Sequence, residues 1–371
     1  MKKFLDCISI VGATPSEFHG TKKYVSTGAV ATTEIDESEV VEVTYEDRPS
    51  RANLSAEAGD ILFAKMQGTR KTLLLDSETE ENIYSTGFYA VRANPEVITT
   101  ECLYYLIDSE LFLAQKDKNC SGATQKAITN GGMAKIEISV PALSEQGILV
   151  DKLKHLTQLI ADKKKQLNLF DEIIKSRFIE MFGDPKRNPR KWDMVTIGDI
   201  ATDVRYGTSR PATEGGKYPY LRMNNLTYEG YLDLTDLKHI DIPDNEVEKC
   251  VVRNRDVLFN RTNSVELVGK TCVYNLDSDM IIAGYIIRVR IDDRVLPVIL
   301  SSYLNSTVMK EQLRSMAKGA VNQANINAQE LRSIPIYLPP ITLQHEFATF
   351  VEQVDKSKYH GEFTCGMEVA A

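Results

Sequence analysis

Polar and basic side chains gather in two short loops, each directly after the same kind of four-residue motif. Asp-Ile-Leu-Phe at 60–63 precedes Lys65–Lys71, and Asp-Val-Leu-Phe at 256–259 precedes Asn260–Ser264. Lysine and arginine pair best with O6 and N7 of guanine in the major groove of DNA, whereas asparagine and glutamine pair with N6 and N7 of adenine. Each loop therefore has the chemistry needed to read base edges. Taken singly, each is more simply interpreted as a solvated turn.

The recurrence of such loops favours recognition over a simple turn. The second half of the chain adds Arg205–Arg210 and Arg222–Asn225, and each half has a polar loop around a glutamine, Gln125 or Gln323. Equivalent loops with different side chains predict two surfaces that recognise different sequences. The candidate DNA contacts are Lys65, Gln67, Thr69, Arg70, Lys71, Gln125, Lys126, Arg205, Thr208, Arg210, Arg222, Asn224, Asn225, Arg261, Asn263, Asn322, Gln323 and Asn325.

Motifs for catalysis and for metal binding are missing from the sequence. It has neither a GxGxxG nor an HExxH pattern, and the five histidines and six cysteines fall in no ligand spacing. Gly269-Lys270-Thr271 imitates the end of a phosphate-binding loop, but Ser264 stands where that loop needs its first glycine. We therefore predict no catalytic residue, no metal site and no cofactor bound by this chain.

Composition bounds the class of protein. The 371 residues carry a net charge of −8, which argues against coating of nucleic acid by overall charge but leaves room for a local basic surface. The N-terminus lacks the apolar segment of a signal peptide, and no apolar run approaches the roughly 18 residues of a membrane span. Scattered cysteines without a CxxC pair fit a reducing compartment, so a cytoplasmic location is expected.

Two helical segments must position these loops. Ser144–Met181 has apolar residues at alternating steps of four and three, which predicts a helix that winds around a partner. A second such helix follows Pro339-Pro340, and the two are expected to pack antiparallel. Lys163 occupies one seam position. The seam residues are Leu149, Leu153, Leu156, Ile160, Leu167, Phe170 and Ile174 in the first helix, and Phe347, Phe350 and Val354 in the second.

The order of features repeats along the chain at an almost constant interval. The positions differ by 196 for Asp60 and Asp256, and by 198 for Gln146 and Gln344. This indicates a duplication in which each half is a globular domain followed by a helix. The predicted boundaries are 1–141 for the first domain, 142–184 for the first helix, 185–339 for the second domain, 340–358 for a shortened second helix and 359–371 for a loose tail.

The ordered set of motifs resembles the specificity subunit of type I restriction–modification systems. The likeness is carried by the junctions IEISVPALSEQ and IPIYLPPITLQ, the helix exit FIEMFGDP, the domain opening KWDMVTIGDI and the two D-[IV]-L-F motifs. The resemblance implies an α+β fold with two tandem mixed α/β target recognition domains, separated by long antiparallel coiled-coil helices with pseudo-two-fold symmetry. The second helix departs from the pattern, because its seam ends near Lys358.

The resemblance also implies a function and partners. Such a subunit is non-catalytic and reads an asymmetric bipartite site in the major groove of double-stranded DNA. Its helices dock DNA methyltransferase subunits, expected to be two, which use S-adenosylmethionine, and through these the restriction motor and endonuclease subunits. The alternative is a protein-interaction scaffold with duplicated binding domains on a helical rod, which the negative net charge favours. An enzyme acting alone is the weakest interpretation.

Overall fold

The computed structural model describes residues 1–320 and 323–369. The chain divides into two compact units, Met1–Ala161 (unit 1) and Asp162–Ala371 (unit 2). Together with the long helix that runs across the boundary in sequence, they confirm the predicted α+β class with two tandem domains.

Unit 1 is built from short strands and three short helices, followed by the start of the long helix. The strands are β1 (Lys2–Lys3), β2 (Ile8–Val11), β3 (Lys22–Val25), β4 (Val30–Ala31), β5 (Glu34–Ile35), β6 (Val41–Val43), β7 (Ala52–Leu54), β8 (Ile61–Ala64), β9 (Thr72–Leu74), β10 (Ile83–Ser85), β11 (Phe88–Ala93) and β12 (Glu137–Ile138). The helices are α1 (Thr100–Ile107), α2 (Glu110–Lys118), α3 (Asn130–Met133) and α4 (Leu143–Phe182).

Unit 2 follows the same plan. Its strands are β13 (Asp193–Thr196), β14 (Ala201–Tyr206), β15 (Tyr218–Leu221), β16 (Lys238–Ile240), β17 (Val251–Val252), β18 (Val257–Asn260), β19 (Thr262–Asn263), β20 (Thr271–Val273), β21 (Met280–Ile282), β22 (Ile286–Ile291), β23 (Lys318–Ala320), β24 (Gln323–Asn325) and β25 (Pro335–Leu338). Its helices are α5 (Ile197–Ile200), α6 (Asp244–Cys250), α7 (Pro297–Asn305), α8 (Thr307–Met316), α9 (Ala328–Arg332) and α10 (Ile341–Val369).

The strand order within the sheets is the same in both units. Unit 1 has the four-stranded sheets β6-β3-β10-β7 and β2-β11-β8-β9, and unit 2 has β16-β15-β21-β17 and β14-β22-β18-β20. In each first-named sheet the central pair is parallel, β3 with β10 and β15 with β21. The pairs β1–β12 and β13–β25 also correspond. Shared topology confirms the duplication that the repeated motifs predict.

The aspartate of the repeated D-[IV]-L-F motif has a structural role. Asp60 is 1% exposed, and its carboxylate accepts hydrogen bonds from Glu57 N at 2.9 Å and from Arg92 Nε at 2.6 Å. The bonds fix the turn that leads into the buried strand β8. Asp256 makes the same two bonds before β18, with Arg253 N at 2.9 Å and with Arg290 Nε at 2.8 Å.

The repeated glutamine at the start of each long helix is a buried clamp. Gln146 is fully buried; its Oε1 accepts from Thr99 N at 2.7 Å, and its Nε2 donates to Val97 O at 3.1 Å and Pro141 O at 3.0 Å. The side chain thus joins the loop before α1 to the start of α4. Gln344 makes the equivalent bonds in unit 2, with Leu296 N at 2.8 Å, Arg294 O at 3.0 Å and Pro339 O at 2.8 Å.

Helices α4 and α10 pack antiparallel within unit 2. At about 1.5 Å per residue, the 40 residues of α4 extend about 60 Å. Near its end, the rings of Phe178 and Phe182 each lie 5.5 Å from the ring of Phe347, close to the start of α10. Further along α10, the ammonium of Lys358 contacts Asp171 of α4, so residue numbers rise on one helix as they fall on the other.

Two expectations about helices are wrong in detail. The apolar spacing over Glu101–Ala114 predicts one continuous helix, but Ser109 interrupts it and caps α2 by accepting a hydrogen bond from Phe112 N at 3.2 Å. The second long helix was expected to end near Lys358, followed by a loose tail, but α10 extends to Val369. A helix that already exists adds residues more readily than a new one nucleates, so it can outrun its apolar seam.

Candidate nucleic-acid interface

In unit 1, the loop after β8 (residues 65–71) lies beside the polar loop that contains Gln125, so the two loops can form one surface. Gln67 N donates to Lys126 O at 2.9 Å, and Ile128 N donates to Lys65 O at 2.9 Å. A β-bridge joins Met66 to Ala127. The structure therefore brings the predicted contacts Lys65 and Gln67 together with Gln125 and Lys126, about 60 residues further along the chain.

These side chains differ in how freely they can reach a ligand. The ammonium of Lys65 lies 4.4 Å from the centre of the Tyr89 ring and donates to Thr86 O at 2.9 Å, and its burial lowers its pKa. Gln125 and Lys126 are exposed. Gln67 is exposed as well, although its amide donates to Asp117 O at 3.3 Å.

The remaining predicted residues of unit 1 are engaged within the protein. The guanidinium of Arg70 contacts Asp108 at 2.8 Å and Glu110 at 2.9 Å, and the hydrogen bond to Asp108 is the main cause of its raised pKa. Lys71 Nζ donates to Thr27 O at 2.5 Å. Thr69 contributes its backbone carbonyl to an internal hydrogen bond. The candidate surface of unit 1 therefore has fewer available side chains than the sequence alone predicts.

Unit 2 forms the equivalent surface through a small extra sheet, β19-β24-β23. Strand β19 pairs with β24, so that Thr262 lies opposite Asn325, and Thr262 Oγ1 donates to Asn325 Oδ1 at 3.0 Å. Ile326 N donates to Arg261 O at 2.9 Å. The loop after the D-[IV]-L-F strand thus pairs with the glutamine segment in both units. Asn263 is half-buried here, and its amide donates to Asn260 Oδ1 at 2.8 Å.

Arg261 stands apart from the other predicted arginines. Its guanidinium carbon lies 4.8 Å from the centre of the Tyr206 ring, and Nη1 makes one long hydrogen bond, 3.4 Å, to Gly284 O. The ring itself is fixed, because Ala328 N donates to Tyr206 Oη at 2.7 Å. Among the described side chains, no carboxylate forms an ion pair with Arg261, and its Nε has no hydrogen-bond partner. Because Nε is buried, the donors open to a ligand are those of the terminal nitrogens that Gly284 O does not occupy.

The other arginines of unit 2 in the predicted set pair with carboxylates of the same unit. Arg205 contacts Asp203 at 2.8 Å. Arg210 contacts Glu246 at 2.8 Å, and Arg222 contacts Asp236 at 2.7 Å. A DNA contact by any of these arginines would have to compete with an existing ion pair.

Asn225 was predicted as a base-reading residue, and the structure does not support this. It is 2% exposed, its Nδ2 donates to Asp233 O at 2.8 Å, and its Oδ1 accepts from Arg222 N at 2.9 Å. The side-chain amide is therefore already hydrogen-bonded within its own turn. Asn224 beside it is exposed, and Thr208 is half-buried and accepts from Arg210 N at 3.2 Å. Asn322 and the side chain of Gln323 lie outside the described residues.

Sequence reasoning missed the exposed aromatic and apolar side chains of these surfaces. Tyr206 is 41% exposed, and Tyr285, directly after the glycine that accepts from Arg261, is 49% exposed. In unit 1, Met66 is 39% exposed between two predicted contacts. Aromatic rings beside arginine supply stacking faces for bases and guanidinium groups. The signal was available for Tyr206, which lies within the polar segment Arg205–Arg210, whereas Tyr285 lies between apolar strands.

The seam of α4 is covered unevenly. In unit 1, Leu149, Leu156 and Ile160 are 38%, 39% and 45% exposed. In unit 2, the seam residues pack to differing degrees. Two of them, Phe347 and Val354, are buried. The others are half-buried: Leu167, Phe170, Ile174 and Phe350. Leu153 of unit 1 is half-buried as well. Lys163 is also half-buried and donates to Gln166 Oε1 at 3.2 Å.

Residues 1–320 and 323–369 contain neither a candidate metal site nor a candidate membrane span. Within them, no group of three or more histidine, cysteine, aspartate or glutamate side chains is placed to hold a metal ion. Every helix in the same ranges falls short of the length and apolar character that a bilayer crossing requires.

Comparison with known proteins gives one consistent result. Residues 12–169 and 189–360 match the family described as type I restriction modification DNA specificity domain. The specificity subunit of the type I restriction enzyme EcoKI from Escherichia coli K12 is 23% identical over 314 residues, which covers 80% of this chain and 67% of that one. The putative MjaX specificity subunit from Methanocaldococcus jannaschii is 28% identical over 171 residues, covering 45% and 40%.

Solved structures share the fold over nearly the whole chain. The S subunit of a type I restriction–modification system from M. genitalium is 12% identical, with a TM-score of 0.51, covering 100% of this chain and 92% of that one. A chain from a study of complex assembly and conformational transition of the type I R-M system is 21% identical, with a TM-score of 0.52, covering 98% and 94%. The tandem arrangement of two mixed units is therefore shared with known proteins.

Proposed function

We propose a division of labour from one premise: this chain belongs to the family of type I restriction–modification DNA specificity subunits, which are non-catalytic targeting subunits. Unit 1 reads one half of a bipartite DNA site, and unit 2 reads the other half. Both read it in the major groove, through the loop that follows the D-[IV]-L-F strand and the glutamine segment paired with it. The bases read by the two units differ.

One observation carries this proposal. The two units have the same topology, yet the equivalent loops present different chemistry: Lys65, Gln67 and Lys126 in unit 1, and Arg261 and Asn325 in unit 2. Lysine and arginine favour guanine, whereas glutamine and asparagine favour adenine, so the pattern and spacing of these groups set the sequence that each unit prefers. An identical frame with unlike side chains predicts an asymmetric site.

Arg261 is the sharpest candidate for a base contact in unit 2. The Tyr206 ring lies beside the guanidinium group, and the lack of a paired carboxylate leaves donors on its terminal nitrogens for a ligand. A bidentate contact between arginine and guanine contributes about 1–3 kcal/mol of discrimination. Arg205, which lies next to Tyr206 and pairs with Asp203, serves as the matched control.

The test uses the complex of this chain with its methyltransferase subunits and a library of random DNA duplexes. Arg261→Ala should relax the preference at one position of one half-site, leave the other half-site unchanged, and lower discrimination at that position by a factor of about 10 to 100. Arg205→Ala should change preference less. If Arg261→Ala weakened DNA binding equally on all sequences, and reduced the slope of log affinity against log salt concentration by about one, Arg261 would contact a phosphate and not a base. Failure of the unaltered complex to retain any discontinuous site would favour the interaction scaffold.

The helices are proposed to dock the methyltransferase subunits, and through them the restriction subunits. The exposed apolar row on α4 supports this, because an uncovered apolar strip of this kind marks a contact surface. Unit 2 adds a cavity of about 410 Å³ beside the end of α4, with an apolar lining that includes Ile174, Ile179, Leu232 and Val351. We expect S-adenosylmethionine to be bound by the methyltransferase subunits and not by this chain.

A further inference from the structure

A buried lysine outside the predicted contact set holds the recognition loop of unit 1. Lys116 lies in α2 and is 2% exposed. Its ammonium donates to three carbonyls of the chain that leaves β8: Ala64 O at 3.3 Å, Met66 O at 2.9 Å and Thr69 O at 2.7 Å. An ammonium has three protons, so each can be assigned to a different point of one short loop.

The next residue of α2 completes the arrangement. Asp117 Oδ2 accepts from Gly68 N at 2.9 Å, and Asp117 O accepts from Gln67 Nε2 at 3.3 Å. Gly68 has φ +72°, a left-handed conformation that suits the tight turn at the loop tip. Lys116 and Asp117 together therefore fix carbonyls and an amide on both sides of this turn.

We propose that Lys116 is a positioning residue for sequence discrimination by unit 1, acting through the backbone of residues 64–69. This inference rests on the proposed function of that loop. With its backbone groups bonded internally, the loop presents Lys65, Met66 and Gln67 in a fixed arrangement. Discrimination between bases depends on this, since donors and acceptors must meet base edges within about half an ångström.

Burial separates this role from direct contact with DNA. A side chain that is 2% exposed, with its protons directed at three carbonyls, does not reach a phosphate. Loss of Lys116 should therefore change which bases are preferred without changing the number of phosphate contacts. The salt dependence of binding reports that number, so its slope should stay constant.

The experiment compares Lys116→Met with Lys118→Met in the complex with methyltransferase subunits. Lys118 belongs to the same helix but is exposed, so it controls for loss of positive charge. Lys116→Met should lower discrimination at the half-site read by unit 1 by about tenfold or more, which corresponds to about 1.4 kcal/mol. Discrimination at the other half-site and the salt slope should not change, and Lys118→Met should behave as the unaltered chain.

Asp117→Ala provides a second route if Lys116→Met folds poorly, because it releases Gly68 N and leaves the lysine in place. It should reduce discrimination at the same half-site. Circular dichroism and thermal unfolding establish that each variant is folded. Folded variants that keep full discrimination, or lose it equally at both half-sites, would overturn the inference. If the unaltered complex selects no bipartite site, the proposed function fails first.

Discussion

Lys310 shows how a single buried charge ties stability to pH. It lies in α8, is 4% exposed, and donates to Gly269 O at 3.1 Å, with its ammonium 4.7 Å from the centre of the Tyr228 ring. Burial is the main cause that lowers its pKa to about 7; repulsion from Lys270, Arg314 and Lys175 contributes to this shift, and Glu229 opposes it. In the unfolded chain a lysine titrates near 10.4.

The sign of the effect follows from the difference in bound protons. Between about pH 7 and pH 10 the unfolded chain holds a proton that folded Lys310 has released, so the free energy of unfolding rises with pH through this window. Lys310→Met should remove that rise and stabilise unit 2 at pH 7 relative to the unaltered chain. Chemical unfolding at pH 7 and pH 9 measures it.

The control for this prediction is Lys249→Met, since Lys249 is an exposed lysine of α6 in the same unit. Its effect on stability should be small at both pH values. A Lys310→Met variant with the same pH dependence as the unaltered chain would contradict the predicted titration.

Which of the candidate arginines form ion pairs within the protein could not be predicted from the sequence. Arginines in polar loops were all candidates for DNA contact, because residue type and spacing do not reveal carboxylate partners from distant segments. Arg70 pairs with Asp108, and Arg210 pairs with Glu246, 36 residues away. These pairs exist only after the sheets have formed. Arg261 was one candidate among these arginines, and its freedom from a carboxylate had to be seen in three dimensions.

At the scale of elements, the buried glutamines define the joint between each domain and its helix. Gln146 and Gln344 are fully buried, and each side chain bonds one backbone amide and two carbonyls at this joint. An unsatisfied buried group costs about 1–3 kcal/mol. Gln344→Met should therefore lower the unfolding temperature of the chain by several degrees, and Gln146→Met should do so as well.

Calorimetry distinguishes the two variants. Each substitution should shift the transition of its own unit and leave the other in place, because the bonds that it removes are local to one unit. Gln353→Met, an exposed site on α10, is the control and should change neither transition. An unaltered transition in both glutamine variants would show that water replaces the side chain.

Elements were predictable where their signal was periodic or repeated. The long helix, the strand–Pro–helix junctions and the paired order of strands all follow from the sequence pattern. The break at Ser109 did not, because a serine within an apolar period is read as a surface residue until its side chain is seen to cap a new helix. The extension of α10 to Val369 was missed because residues beyond Lys358 carry no seam.

At the scale of the whole molecule, the exposed apolar row of α4 should govern assembly. Leu156 is 39% exposed and lies on this row. Leu156→Asp should reduce co-purification of methyltransferase subunits at least tenfold, because a carboxylate would be placed in an apolar contact. Lys165→Asp is the matched control, since nine residues further along the helix, at about 100° per residue, the side chain points to the opposite side.

The fold of this chain on its own should survive Leu156→Asp, because the substituted side chain already faces solvent. Circular dichroism and size-exclusion chromatography of the isolated chain check this. Retention of the full complement of methyltransferase by the variant would place the docking surface elsewhere.

The matching joints at Gln146 and Gln344 bear on how new specificities could arise. Each domain is joined to its helix by an equivalent strand, an equivalent proline and three equivalent hydrogen bonds of the glutamine. A coding segment for one domain, copied into the position of the other by recombination, would meet a compatible neighbour at its carboxyl end. On the proposed reading of one half-site by each unit, such an exchange would alter targeting in one step, whereas point substitutions would have to rebuild a loop residue by residue.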